Sequence, residues 1–170
     1  TPHTDAEYFF SDFLFNEELM VYSADEEANR KQDQYVVPDD IDLNRFWLLE
    51  EGNCLKKQTE NICHLRENSQ KPKNLDFMAS NISTLIRMVD NVGGMTVLPE
   101  LAINQLSEAQ KKQVTRFRKP YPMREISLIY YKPTYKQKML DELVTFIRDA
   151  LSPRLNYSKN PKDFILVKPQ

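Results

Sequence analysis

Two cysteines, Cys54 and Cys63, are the residues whose type and spacing carry the most chemistry in this chain. A cysteine thiolate attacks peroxide and becomes a sulfenic acid, which a second thiol resolves to a disulfide. Cys54 follows a short apolar run and Gly52, where a helix is expected to start with Asn53 as its N-cap. A first-turn position favours the thiolate, because unpaired backbone N–H groups and the helix dipole stabilise negative charge. Lys56 and Lys57 act in the same direction, while Glu50 and Glu51 oppose it.

Cys63 lies nine residues further on. In a helix this places the two about 13–14 Å apart along the axis, on opposite faces. A disulfide needs Cα atoms within about 7 Å. Helix and disulfide therefore exclude one another, and oxidation would have to refold residues 54 to 63. Spacing alone leaves other readings open. Paired cysteines in a reducing compartment are more often small, inert, buried residues. A metal site from Cys54, Cys63 and His64 lacks a fourth ligand and the usual close cysteine spacing. Neither a metal nor a cofactor is expected.

The elements around this pair read as alternating strands and helices. Phe13–Tyr22 is an expected strand, and Phe46–Leu49 has the continuous apolar character of a strand buried on both faces. A helix is expected over 53–67, and a short strand over Leu75–Ala79. Asn81 should cap a helix whose Ile82, Leu85, Ile86 and Val89 form one apolar face, ended by Gly93-Gly94. Strands follow at Met95–Leu98, Val114–Phe117 and Ile126–Tyr131. A capping box at Thr134–Gln137 should open a last helix to Leu151, carrying Leu140, Leu143, Val144 and Ile147 and stopped by Pro153. Phe164–Val167 is the one patterned stretch beyond it. The alternation implies an α/β fold with a mostly parallel sheet.

Composition bounds the remaining classes. At 170 residues and 41% hydrophobic, with 9 Phe, 8 Tyr and one Trp, the chain can build a real core. A net charge of −2, with cations scattered among acids, excludes the basic face of a DNA-binding module. No apolar run approaches a membrane span or a signal peptide. Two cysteines are too few for a secreted disulfide scaffold, which favours the cytoplasm.

The residues flanking the cysteines carry a resemblance. Leu48-Leu49-Glu50-Glu51-Gly52-Asn53-Cys54-Leu55-Lys56-Lys57-Gln58, with Cys63 nine positions after Cys54, resembles the signature of the OxyR branch of LysR-type transcriptional regulators. In that branch a leucine-rich strand precedes E-[ED]-G-H-C-[LF]-R-[DN]-Q. Downstream, Val92-Gly93-Gly94-Met95-Thr96-Val97-Leu98-Pro99 is similar to the G-x-G-[IM]-[TA]-x-[LV]-P segment of LysR-type effector domains. Arg124-Glu125-Ile126-Ser127-Leu128-Ile129-Tyr130 resembles the strand that follows it. Order and spacing agree from Phe13 to Leu155.

The resemblance implies a periplasmic-binding-protein-like regulatory domain of two Rossmann-like lobes, the first incomplete. Residues 1–170 would be its C-terminal part: 11–118 the second lobe, 119–155 the return of the first, and 156–170 a tail. By position Cys54 matches the peroxidatic cysteine, Cys63 the resolving cysteine, and Arg124 an arginine near the thiolate. Asn53, Lys56 and Gln58 would complete the peroxide environment, with Asn53 replacing the usual His and so unable to carry a proton. Lys56 and Lys57 replace the family's arginine and acid. On residues alone, the alternative for Arg124 is an exposed strand-end ion pair.

Helix 81–92 corresponds to one that packs in the family's dimer, with Met88 and Asn91 as interface candidates. The implied function is a non-enzymatic hydrogen-peroxide sensor controlling oxidative-stress transcription. It would act as a homodimer, tetrameric at full length, on promoter DNA through a helix-turn-helix domain absent from this chain. RNA polymerase is a further expected contact, and glutaredoxin or thioredoxin the expected reductant. The alternative is an effector domain binding a small organic inducer, its cysteines incidental. A thiol peroxidase is disfavoured, since the P-x-x-x-[TS]-x-x-C loop is missing.

Overall fold

The computed structural model describes residues 9–24, 35–36, 41, 43–50, 54–63, 79–131, 136–155 and 161–168. A single long strand, β1 (Phe9–Ser23), organises the rest. Its aromatic and β-branched residues suit a pleated sheet, and it pairs with three others. Residues 9–18 run antiparallel to β5 (Tyr121–Tyr131), while 19–23 pair with β3 (Met95–Pro99) and Val21-Tyr22 with β4 (Val114–Phe117). The short β2 (Tyr35–Val36) lies parallel to β4, and β6 (Phe164–Leu166) lies parallel to β5. The path is β2-β4-β1-β5-β6, with β3 on β1.

The expected mostly parallel sheet is corrected by these pairings. All three ladders on β1 are antiparallel, and the parallel ones span two or three residues. Hydrophobic periodicity locates strands without giving their direction. The apolar run Phe46–Leu49 is buried throughout, as expected, yet it makes only isolated bridges, Phe46 to Met95 and Leu49 to Ala79. Its backbone bonds go to two different neighbours, so no continuous ladder forms. Gly94 permits the approach at its start: a Cβ there would lie 2.3 Å from the Arg45 carbonyl oxygen, and its φ is +91°.

Five helices accompany the strands among the described residues: α1 (Cys54–Ile62), α2 (Ile82–Val92), α3 (Glu100–Ile103), α4 (Glu108–Lys111) and α5 (Gln137–Leu151). The last gives way to a 3-10 turn at Ser152–Arg154, with Pro153 inside it. The Asn81 cap is in place, its Oδ1 accepting from the Thr84 amide at 2.9 Å, and Gly93 ends α2 with φ +84°. Of the capping box expected at Thr134–Gln137, Thr134 and Tyr135 lie outside the described residues. Helix α5 starts at Gln137 after Lys136, without a side-chain cap, and Gln137 bonds to Tyr130 and Asp141 instead. A capping box is present at Ser107–Gln110, on α4. On α5 only Val144 is fully buried, and Leu143 faces outward. Of the 53–67 helix and the 75–79 strand, residues 53, 64–67 and 75–78 lie outside the described residues.

Two hydrophobic cores flank β1. The larger gathers Leu19, Tyr22, Phe46, Leu85, Leu98 and Phe117; the smaller consists of Leu14, Phe15, Val144 and Leu155. A register shift between Phe13 and Phe15 accompanies the burial of consecutive Leu14 and Phe15. Between the cores lie Glu17 and Glu18, each 1% exposed. Burying a carboxylate is costly unless it is paired. Arg124 meets Glu17 and Arg116 meets Glu18, and the Arg116 guanidinium also stacks 4.2 Å over the Tyr121 ring.

Candidate functional site

Helix α1 carries both cysteines, and it divides their environments sharply. Cys54 is its first residue and is exposed; Cys63 follows its last turn, donating its amide to the Thr59 carbonyl at 3.0 Å, and is buried. Both are thiols. Burial pushes the Cys63 thiol up to about 12 from its ordinary 9.0, because the low-dielectric interior disfavours the thiolate. Folded α1 therefore holds the Cys63 thiolate fraction far below that of an ordinary thiol.

Four residues after Cys54, on the same helical face, Gln58 is buried. Its Nε2 donates to the Val167 carbonyl at 3.0 Å, and its Oε1 has no hydrogen-bond partner among the described residues. One turn on, Asn61 Nδ2 donates to the Lys168 carbonyl at 2.9 Å. Helix α1 is thus fastened to the segment after β6.

Cys54 and Gln58 open into a cleft of about 420 Å³ that also receives Arg124, Ser127, Ser11 and Leu166. Sequence-predicted Cys54, Gln58 and Arg124 are brought together here. Arg124 is no exposed strand end. It sits within β5, its side chain 20% exposed, with Nε 2.7 Å and Nη2 2.6 Å from Glu17 Oε1. Glu17 Oε2 in turn accepts from the Leu101 amide at the start of α3. The Arg124 charge facing the cleft is largely balanced by this carboxylate.

Other predicted residues stand elsewhere. Lys56 is not among the cleft-lining residues; it is buried along α1 and pairs with Glu60 at 3.9 Å. Asn53 and His64 lie outside the described residues, and no group of three potential metal ligands occurs among the described ones. On α2, Met88 packs partly against the larger core, and Asn91 is exposed with its amide on the Arg87 carbonyl. Sequence reasoning missed Glu17, Asn61 and the Val167-Lys168 backbone. Glu17 had a signal, since paired acids inside an apolar strand demand cations. The tail carbonyls had none.

The cleft brings together an exposed cysteine, the Gln58 side chain and the Arg124 guanidinium.

Comparison with known proteins places the chain. The family model described as the LysR substrate binding domain matches residues 2–152. The HTH-type transcriptional regulator EstR of Acinetobacter baylyi is 34% identical over 111 residues, which is 65% of this chain and 36% of that protein. A hydrogen peroxide-inducible genes activator of Dickeya chrysanthemi is 28% identical over 149 residues, 86% of this chain and 47% of its own. Among solved structures, that of an OxyR mutant from Porphyromonas gingivalis superposes with a TM-score of 0.79 at 25% identity, covering 95% of this chain and 72% of the other. The chain spans less than half the length of these two curated relatives.

Proposed function

The chain belongs to the LysR substrate-binding-domain family, and on that premise we propose that it is the redox-sensing part of a hydrogen-peroxide-responsive transcriptional regulator. The observation that carries this reading is the unequal pair on one helix, exposed Cys54 opening to a cleft and buried Cys63 at the other end.

In this account the Cys54 thiolate attacks one peroxide oxygen. The O–O bond breaks, hydroxide leaves and takes a proton to become water, and Cys54 is left as a sulfenic acid. Helix α1 then unwinds, which hydrates Cys63 and returns its pKa toward the ordinary range. The Cys63 sulfur displaces the hydroxyl of the sulfenic acid as a second water and closes the disulfide. Two thiols lose two electrons and two protons, and peroxide is reduced to two waters. Re-reduction requires an external dithiol, of the glutaredoxin or thioredoxin kind. Peroxide is therefore a signal, not a turned-over substrate, and the role is regulatory rather than enzymatic.

The proposal extends to organisation. Residues 11–118 form the second lobe and 119–155 the return of the first, with 156–170 as a tail; the presence of two cores supports a two-lobe division, in which β1 serves both and the cores part at Glu17 and Glu18. Met88 and Asn91 on α2 contribute to a homodimer, and promoter DNA is reached through a domain outside these residues, in the cytoplasm. No helix among the described residues is long and apolar enough to cross a membrane.

Peroxide treatment followed by a sulfenic-acid probe and disulfide mapping tests the reading. In Cys63→Ser the Cys54 sulfenic acid should persist and take the probe; an unreactive Cys54 there sinks the assignment. A second reading, a small organic inducer in the cleft, is favoured by its volume of about 420 Å³, which lies within the usual range for ligand sites. It predicts thermal stabilisation by a metabolite and no redox response.

A further inference from the structure

Two of the hydrogen bonds that attach the described C-terminal residues come from the redox helix. Strand β6 pairs with β5 over three residues, Tyr121 to Met123, and the Val167 amide donates to the Met123 carbonyl at 2.8 Å. Ile165 and Leu166 are 55% and 39% exposed, Phe164 is half-buried, and Val167 packs partly on the larger core. Before β6, Asp163 pairs with the half-exposed Lys119 at 3.2 Å, an interaction of the screened surface kind. A further fastening is the pair of amides, Gln58 on the Val167 carbonyl and Asn61 on the Lys168 carbonyl.

Those amides are three residues apart on α1, one above the other along a single helical face. They meet carbonyls of consecutive tail residues, a match that depends on helical spacing. We propose that the segment Phe164–Lys168 is a strap held on α1 by Gln58 and Asn61 and released when Cys54 and Cys63 join. The inference rests on the redox reading above. A disulfide brings the two Cα atoms from about 13–14 Å to within about 7 Å, and residues 55–62, including both amide bearers, lose their helical register. The oxidation is the one already balanced: two thiols give two electrons and two protons to peroxide, which leaves as two waters.

Release has two local consequences. Leu166, Val167 and Lys168 wall the cleft of Cys54, so the cleft opens on the side of the oxidised sulfur. The edge of β5 at Tyr121–Met123, covered by β6 in the reduced protein, is uncovered. The strap thereby carries a change confined to α1 to the β5 edge at Tyr121–Met123.

Amide hydrogen exchange across 161–168, in the 170-residue chain before and after peroxide with the disulfide mapped in the same samples, tests this. The expected result is exchange at least about fivefold faster in the strap after oxidation, the order of effect for losing two hydrogen bonds, with α2 unchanged. A mapped Cys54–Cys63 disulfide with unaltered strap exchange overturns the strap and leaves the redox reading standing. Failure to form the disulfide overturns both the redox reading and the release. The tether is read separately in the reduced double variant Gln58→Ala/Asn61→Ala, which should show the same acceleration; unchanged strap exchange there overturns the tether. Should the double variant not fold, Asn61→Ala alone, at a partly exposed site, must still accelerate the strap, and no change overturns the tether.

Discussion

Helices α1 and α2 are of similar length and both pack on the larger core, yet they are held in opposite ways. Helix α2 is capped at its start by Asn81 and at its end by Gly93, and the residues it buries are Leu85 and Val89. Helix α1 buries Lys56, Gln58 and Thr59 alongside Leu55 and Ile62. Burying apolar side chains contributes roughly 1.5–3 kcal/mol each. A hydrogen-bonded polar group contributes about 1 kcal/mol net, because water satisfies it in the unfolded chain. Each helix thus buries two apolar side chains, and what sets α1 apart is the polar groups buried with them, among which the Gln58 Oε1 has no partner among the described residues. The chemistry lies on this polar helix, with Cys54 at its start and Cys63 just after its end.

The contrast can be attacked at α2 first. Leu85→Ala, at a side chain 1% exposed, should lower stability by ~2–5 kcal/mol through lost burial and a cavity, read as a fall in the denaturation midpoint. A loss below ~1 kcal/mol would remove the asymmetry.

Alkaline pH probes α1 next. The unfolded Cys63 thiol ionises near 9, whereas the folded thiol holds its proton to about 12. The folded state therefore binds more protons across that window, and stability falls as pH rises through it, by at most ~1.4 kcal/mol per unit. Tyr22, raised by burial first and then by the Asp90 carboxylate, adds a similar loss above pH 10. Reduced Cys63→Ser should flatten the decline between pH 9 and 10, measured by urea unfolding at each pH, while an equally steep decline would show that Cys63 is not held protonated. The smallest expected effect is Asn81→Ala, which should cost ~1 kcal/mol by removing the N-cap of α2. Because the Asn81 side chain bonds to α2 and to the adjoining Ser80, peroxide-driven disulfide formation in that variant should proceed as in the parent, and a change in its rate would couple the two helices.

Much of this arrangement was legible beforehand, for identifiable reasons. Helix α2 has a 3.6-residue apolar stripe between an asparagine and two glycines, so local sequence dictates its limits. Phe46–Leu49 was legible as buried but not in its bonding, because apolarity reports burial and not which neighbour supplies the hydrogen bonds. Helices α3 and α4 escaped notice. Each has four residues, too few for periodicity, and α4 depends on the Ser107–Gln110 capping box. At the site, Cys54 and Gln58 share a face by their spacing alone. Their meeting with Arg124, 66 residues beyond Gln58, is a product of sheet topology and entered the reading only through family resemblance. Glu17 as the partner of Arg124, and the tail carbonyls on Gln58 and Asn61, depend wholly on how β1, β5 and β6 come together.

The claim at the centre is that the disulfide and helix α1 exclude one another. Amide exchange of residues 55–62, compared with 82–92, in reduced protein and in protein with a mapped Cys54–Cys63 disulfide tests it most directly. The account predicts that oxidation strips protection from α1 and leaves α2 protected. A mapped disulfide with α1 protection intact would contradict it.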